Sequence, residues 1–226
     1  MVVLTKDIAR DLLGSGYSRV IVIPNPISNE LEEAPLPAEC PRIALLLGRA
    51  TPQKGFDIFL HAMSLIKTEG WHFNVMGPGV ELDADLRELI RRHGLQSLVS
   101  LLPATEDPYS EIRRASCVIM PSRYEALPMV ALESLRIGRP LIASDVDGLR
   151  NLITNGFNGL VFPSADVKEL ADRIATICGN EELLKRLAAN ASASVNGYDS
   201  DSVVEAWVQL TAACSKQQSS GISERS

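Results

Sequence analysis

Short apolar runs alternate with longer amphipathic segments along most of the chain. Residues 42–47 (RIALLL) read as a buried strand, and residues 56–67 as a helix with apolar side chains at 56, 59, 62, 63 and 66. The alternation continues with strand 73–76, helix 85–93 stopped by Gly94, strand 98–102, helix 108–115 and strand 117–120. Helix 128–137, strand 141–143, strand 159–162 and two closing helices, 166–178 and 181–195, complete the pattern. Strands and helices spaced in this way predict βαβ units, hence an α/β fold built on a parallel sheet with helices on both faces.

The two ends stand apart from this sheet. Residues 1–23 predict strand 2–5, helix 8–14 and strand 20–23, and a proline-rich link follows over 24–41. The βαβ body covers 42–197. Residues 198–214 contain a helix, from 200, with Val204, Trp207, Val208 and Leu210 on one side. The tail, 215–226, has almost no apolar content and is expected to be disordered.

With 46% hydrophobic and 22% charged residues, the composition is that of an ordinary globular protein. A net charge of −6 argues against a general nucleic-acid binder and against an anionic-membrane binder. No apolar run approaches the ~20 residues that span a bilayer. Lys6, Asp7, Arg10 and Asp11 interrupt the stretch where a signal peptide would be apolar. Cys40, Cys117, Cys178 and Cys214 are scattered, so a reduced, cytoplasmic chain is the simplest reading, with peripheral placement at the inner membrane face left open. His61, His72 and His93 form no zinc motif, and no metal is expected.

In an open parallel sheet, ligands bind at the carboxyl ends of the strands, and the unusual residues of this chain fall there. After the first core strand comes GRATPQKG, in which Arg49 and Lys54 could converge on one polyanion while Gly48 and Gly55 let the backbone approach it. The alternative is that both cations are solvated loop charges. Gly77-Pro78-Gly79 follows the second strand. It lacks the third glycine of a dinucleotide fingerprint, because Leu82 stands in that place. After the fourth strand comes PSRYEALPMVALESL, where Pro128 fits the first position of a helix whose free amides at Met129 and Val130 would suit an anion. Glu125 lies in the loop and Glu133 eight residues later in an apolar helix. A carboxylate there is costly to bury unless it is hydrogen-bonded, and a vicinal diol such as a ribose would satisfy both its oxygens. A helical ion pair with Arg136 is the competing explanation. Asp145-Val146-Asp147 has the form of a D-x-D metal motif, but such a pattern arises often by chance.

Taken together, G-R-x4-K-G (48–55), the G-x-G at 77–79, E-x7-E (Glu125, Glu133), G-R-P-L-I-A-S-D (138–145) and N-G-x-N-G-L-V-F (155–162) resemble the second domain of the family-4 retaining glycosyltransferases. That likeness runs from about residue 2 to about residue 210. It implies a Rossmann-like sheet that is the C-terminal half of a GT-B fold, and a hexosyltransferase type of activity. By resemblance, a nucleotide sugar, with UDP favoured, would bind at Gly48, Arg49, Lys54, Gly77, Glu125, Leu127, Pro128, Met129, Val130 and Glu133. Arg49 and Lys54 would grip the diphosphate and stabilise the leaving group, Glu125 would lie against the sugar and phosphate, and Glu133 would hold the ribose. The acceptor would be a glycan or a lipid-linked glycan, and no cofactor or metal is implied. Residues 1–23 resemble the last strand and helix of the family's N-terminal acceptor domain, which implies a separate N-terminal domain as partner. It also leads us to expect exposed apolar surface near 2–13 and Trp207. Three positions depart from the pattern: Ala126-Leu127, Pro103 and Asp147. Two other readings remain at this stage, a non-catalytic nucleotide-sugar-binding module and an NAD-linked Rossmann protein.

Overall fold

The computed structural model describes the backbone of residues 1–223 and the side chains of residues 1–215. Strand β1 (Val2–Val3), helix α1 (Lys6–Gly14) and strand β2 (Ile21–Val22) open the chain, and β1 pairs with β2 in parallel as a small separate sheet. Six further strands form the main sheet: β3 (Ile43–Leu47), β4 (His72–Met76), β5 (Val99–Leu102), β6 (Cys117–Met120), β7 (Leu141–Ser144) and β8 (Gly159–Phe162). They are parallel throughout, in the order β5-β4-β3-β6-β7-β8.

The helices are α2 (Phe56–Met63), α3 (Ala84–His93), α4 (Pro108–Arg114), α5 (Met129–Ile137), α6 (Asp147–Arg150), α7 (Val167–Gly179), α8 (Glu181–Ala191) and α9 (Ser200–Ser223). They cover both faces, which is why β3, β6 and β8 read as unbroken apolar runs. Ala44, Leu46, Phe73, Val75, Cys117 and Ile119 point into one core with α2, α3 and α7. Leu45, Leu47, Val118, Met120, Leu141 and Ala143 point into a second core with α4 and α5. Successive strand residues thus face opposite layers.

Several boundaries differ from the sequence pattern for local reasons. α2 stops at Met63, not 67, because Ser64 turns the chain and its Oγ donates to the His61 carbonyl at 2.7 Å. α5 begins at Met129, with Pro128 as its extended N-cap (φ −75°, ψ 124°) and not its first helical residue. The closing helix ends at Ala191 and tightens into a 3-10 turn over Ser192–Val195. The backbone of α9 runs past residue 214, where the apolar pattern ends; the disorder expected for the tail concerns residues whose side chains lie outside those described. Trp207 is 45% exposed, and Met1, Leu13, Val204 and Val208 are exposed as well, so the apolar surface expected near the two ends is present. No helix among the described residues is long and apolar enough to cross a membrane.

Arg139 ties the linker to the body. Only 2% exposed, it has no carboxylate partner among the described residues and instead donates to main-chain carbonyls. Its Nε reaches Ala115 O at 2.7 Å and its Nη2 reaches Arg113 O at 2.6 Å, while Nη1 donates to Ala34 O in the linker. Weaker contacts run to Ile137 O and Gly138 O. The guanidinium therefore satisfies the carbonyl ends of α4 and α5, where the helix dipoles favour a cation. Burial pushes its pKa down to about 10, which leaves it charged at neutral pH. Arg139→Met would keep the stem but orphan these carbonyls. We expect a loss of about 3 kcal/mol in urea denaturation, with the linker becoming more accessible to protease.

Candidate functional site

Strand order reverses between β3 and β6. The chain leaves β3 towards β4 on one side and β6 towards β7 on the other, so their carboxyl ends border an open crevice. The residues singled out in the sequence lie on this rim.

The β3 and β6 loops are stapled together. Arg123 N donates to Gln53 O at 2.8 Å, and the Arg123 guanidinium grips Asp57 with two bonds of 2.9 and 2.6 Å. Between the loops Gly55 is left-handed (φ 66°), and a Cβ built there would lie 2.0 Å from the Pro121 carbonyl oxygen. Only glycine fits both demands. On the other side, a Cβ at Gly77 would meet the Gly48 carbonyl oxygen at 1.9 Å, and Gly48 N donates to Met76 O at 3.0 Å. The loops after β3, β4 and β6 therefore touch through bare backbone.

Lys54 lies across this junction. Its aliphatic stem covers Gly48, where a Cβ would come within 3.0 Å of the lysine Cε. Its ammonium pairs with Glu125 Oε1 at 2.7 Å, and the two side chains are 17% and 7% exposed. Ser122 Oγ donates to the same oxygen at 2.8 Å. Among the described residues, Glu125 Oε2 receives only a long 3.5 Å contact from Gln53 Nε2. Lys54 is thus a paired, oriented cation and not a solvated one. Arg49, from the same loop, is exposed, with no ion pair or side-chain hydrogen bond among the described residues. Of the two cations expected to converge, Lys54 is engaged across the crevice and Arg49 is exposed to solvent.

Leu127 and Pro128 are buried, and Leu127 O accepts from Asn25 Nδ2 of the linker at 3.4 Å. Pro128 O takes the first intrahelical bond of α5, from Ala131 N at 3.1 Å. The amides of Met129 and Val130 have no intrahelical partner, as the first two of any helix must not. Although Pro128 is the cap and not the first helical residue, the two expected amides are the ones left open.

Glu133 is half-buried in α5, and the competing pairing with Arg136 is not made: Arg136 Nε donates instead to Leu31 O at 3.2 Å. The Glu133 carboxylate accepts from the Tyr109 hydroxyl at 3.2 Å. Burial holds its pKa above the usual carboxylate range, against the opposing pull of Tyr109. Asp145 and Asp147 are both held by Arg150, at 2.6 and 3.2 Å.

Residues 28–194 match the family described as Glycosyl transferases group 1. The chain belongs to that family. An exopolysaccharide phosphotransferase of Streptomyces coelicolor is 33% identical over 91% of the chain and 22% of its own length. The alpha-D-kanosaminyltransferase of Streptomyces kanamyceticus is 34% identical over 66% of the chain and 40% of its length. The chain thus spans less than half of either relative. Among solved structures, a variant of S. aureus TarM crystallised with UDP and alpha-GlcNAc-glycerol superposes with a TM-score of 0.83, at 22% identity, over 92% of this chain and 43% of that one. At that identity the likeness speaks for the fold, which is of the GT-B, Rossmann-like type.

Sequence reasoning missed Ser122, Gln53 and Tyr109. Ser122 lay inside the quoted motif but carried no distinguishing pattern, and Tyr109 is remote from the motifs in sequence.

Two outcomes test this geometry. Gly55→Ala should lose about 2 kcal/mol or more in thermal or urea unfolding, since both the left-handed backbone and the Pro121 contact are violated. For Glu133, a folded pKa above the unfolded value means that the native state binds more protons across that window, so its ionisation costs stability as pH rises through it. Glu133→Gln should therefore raise the unfolding midpoint at pH 7, with the gain vanishing below about pH 4, where the unfolded carboxyl is also protonated. A midpoint that falls at pH 7 would mean that the carboxylate serves stability and not a ligand.

Proposed function

We propose that this chain is the donor-binding half of a retaining glycosyltransferase that moves a hexose from a nucleoside-diphosphate sugar, a UDP-sugar, to an acceptor hydroxyl. The observation that carries this reading is the crevice itself. Glycine backbone, a paired lysine, an exposed arginine and an open helix N-terminus share a rim with the carboxylates of Glu125 and Glu133, which have no salt-bridge partner in common among the described residues. A ligand that is anionic in the middle and rich in hydroxyls at both ends matches that distribution.

In this reading the diphosphate lies between the Gly48 loop and the amides of Met129 and Val130. Arg49, which has no side-chain partner among the described residues, closes on it and supports the charge that develops as the nucleoside diphosphate departs. Lys54 keeps its bond to Glu125 and holds that carboxylate in place beside the sugar. Glu125 Oε2, weakly held by Gln53, is the oxygen left for the sugar hydroxyls. Glu133 takes the ribose. Gly77 keeps its loop flat against Gly48, and Leu127 and Pro128 set the entry to α5. No step calls for a metal or a cofactor.

The acceptor, a glycan or a lipid-linked glycan, together with the rest of the catalytic cleft, would come from an N-terminal acceptor domain, with residues 1–23 its last segment, 24–41 the link and 198–214 a helix crossing back to it. The name of the Streptomyces coelicolor relative and the UDP bound to TarM support, respectively, a polysaccharide setting and the uridine base. A cytoplasmic site, where nucleotide sugars are made, follows from that substrate.

Calorimetric titration of the chain with UDP, GDP and ADP tests the proposal. UDP should bind in preference, and Glu133→Ala should abolish that binding. Arg49→Ala should weaken it by roughly 10- to 100-fold while leaving the unfolding midpoint unchanged, because one or two charge-assisted hydrogen bonds are lost from an exposed side chain. Equal, weak binding of all three, insensitive to both substitutions, would sink the donor-site reading.

A further inference from the structure

Glu125 lies in a loop, yet three neighbouring strand ends hold it. After β3, Lys54 Nζ donates to Oε1 at 2.7 Å. At the end of β6, Ser122 Oγ donates to the same oxygen at 2.8 Å. After β7, Gly148 N donates to the Glu125 carbonyl at 3.1 Å, and a Cβ on Gly148 would lie 2.4 Å from the Ala126 carbonyl oxygen. A carboxylate oxygen offers two lone pairs, so Lys54 and Ser122 together occupy Oε1. Oε2 keeps only the 3.5 Å contact from Gln53 Nε2 among the described residues. The two oxygens are therefore unequal, one bound by the protein and one left for another donor.

The two donors to Oε1 differ in how firmly they direct the group. An ammonium on a four-carbon stem is a point charge with three rotatable donors, and it attracts a carboxylate without fixing its rotation. A serine hydroxyl has a short stem and a single proton to give. Ser122 is 1% exposed, so its hydroxyl has no water to turn to instead. Its backbone is pinned as well. Ser144 Oγ, equally buried at the end of β7, donates to Ser122 O at 2.6 Å and more weakly to Met120 O at 3.4 Å. The segment 144–148 thus acts on the Glu125 loop twice, through Ser144 and through Gly148, while its two aspartates are held by Arg150.

We propose that Ser122 is a positioning residue for the selection of the donor sugar: backed by Ser144, it fixes the rotation of the Glu125 carboxylate, so that Oε2 meets a sugar hydroxyl in one orientation only. This rests on the donor-site reading above. In that reading the diphosphate is held by other groups, the Gly48 loop, Arg49 and the start of α5, so its binding does not depend on Ser122. Loss of the hydroxyl leaves Oε1 with Lys54 alone. The carboxylate then turns about the ion pair, and hexoses that differ in the placement of a hydroxyl are told apart less well.

The test is calorimetric titration with UDP, UDP-glucose, UDP-galactose and UDP-N-acetylglucosamine, on the wild-type chain, Ser122→Ala, Glu125→Ala and the double variant. In the wild type the best and worst of the three nucleotide sugars should differ by about 10-fold or more, the worth of one hydrogen bond to a charged group. Ser122→Ala should keep UDP within about 2-fold of the wild type and shrink that spread to about 3-fold or less. In the Glu125→Ala background the same substitution should change nothing further, since the hydroxyl acts only through that carboxylate. A Ser122→Ala chain with the wild-type spread would overturn the proposal, because Lys54 alone would then orient the carboxylate. So would equal weakening of UDP and all three sugars in Ser122→Ala, or a further loss in the double variant, either of which makes the serine a support of the loop and no more. A wild type that binds UDP but does not separate the sugars overturns it too. In each of these cases UDP still binds the wild type and the donor-site reading survives. If the wild type binds none of the four, both readings fall together. Should Ser122→Ala fold poorly, Ser144→Ala, which frees the backbone under the hydroxyl, carries the same expectation and the same reversal.

Discussion

The parallel pairing of β3 with β6, Ala44 opposite Cys117 and Leu45 opposite Val118, governs where every other part of the site can be. These strands are far apart in sequence, and each continues to a neighbour on its outer side. Their crossovers must therefore leave the sheet in opposite directions, and the space above their carboxyl ends is left for a ligand. The Gly48–Gly55 loop and the loop from Pro121 are brought to that space by topology alone. Once there, they are locked by contacts that tolerate no side chain, at Gly55 against Pro121 and at Gly77 against Gly48. The site is thus an outcome of strand order, made rigid by backbone packing.

Rigidity of this kind lets charge be placed at low cost. The Lys54–Glu125 pair is nearly buried, a setting in which desolvation can exceed the attraction between the charges. Here Ser122 supplies a further hydrogen bond to the carboxylate, and the lysine stem is already held over Gly48. Glu133 is a different case. Its burial opposes ionisation, and a neutral hydroxyl is the partner it has. A carboxylate kept in an apolar helix with so little compensation is an unfavourable choice for stability alone.

Arg139 shows the same economy on the opposite side of the molecule. One buried guanidinium collects carbonyls from α4, α5 and the linker, and so fixes the segment that joins the terminal strand–helix–strand to the sheet. The linker in turn reaches the site through Asn25 and Leu127. The proline-rich link is therefore a fastened strap, with polar contacts at both ends of its course.

Much of this was legible in the residues. Continuous apolar strands separated by amphipathic helices can satisfy their backbone groups only as a two-sided parallel sheet, so the fold class followed from periodicity. Glycines clustered after strands marked the rim, because few other positions require bare backbone. Sequence left a pairing of Glu133 with Arg136 open, because the two lie within helical reach. Tertiary structure removed that pairing by sending Arg136 to Leu31 and bringing Tyr109, from a different βα unit, to the carboxylate. It likewise separated Lys54, paired across the crevice, from Arg49, exposed on the same loop. Local pattern determines which faces are buried, because that depends on neighbours three or four residues away; which polar groups meet depends on how distant segments cross, and only the folded chain sets that.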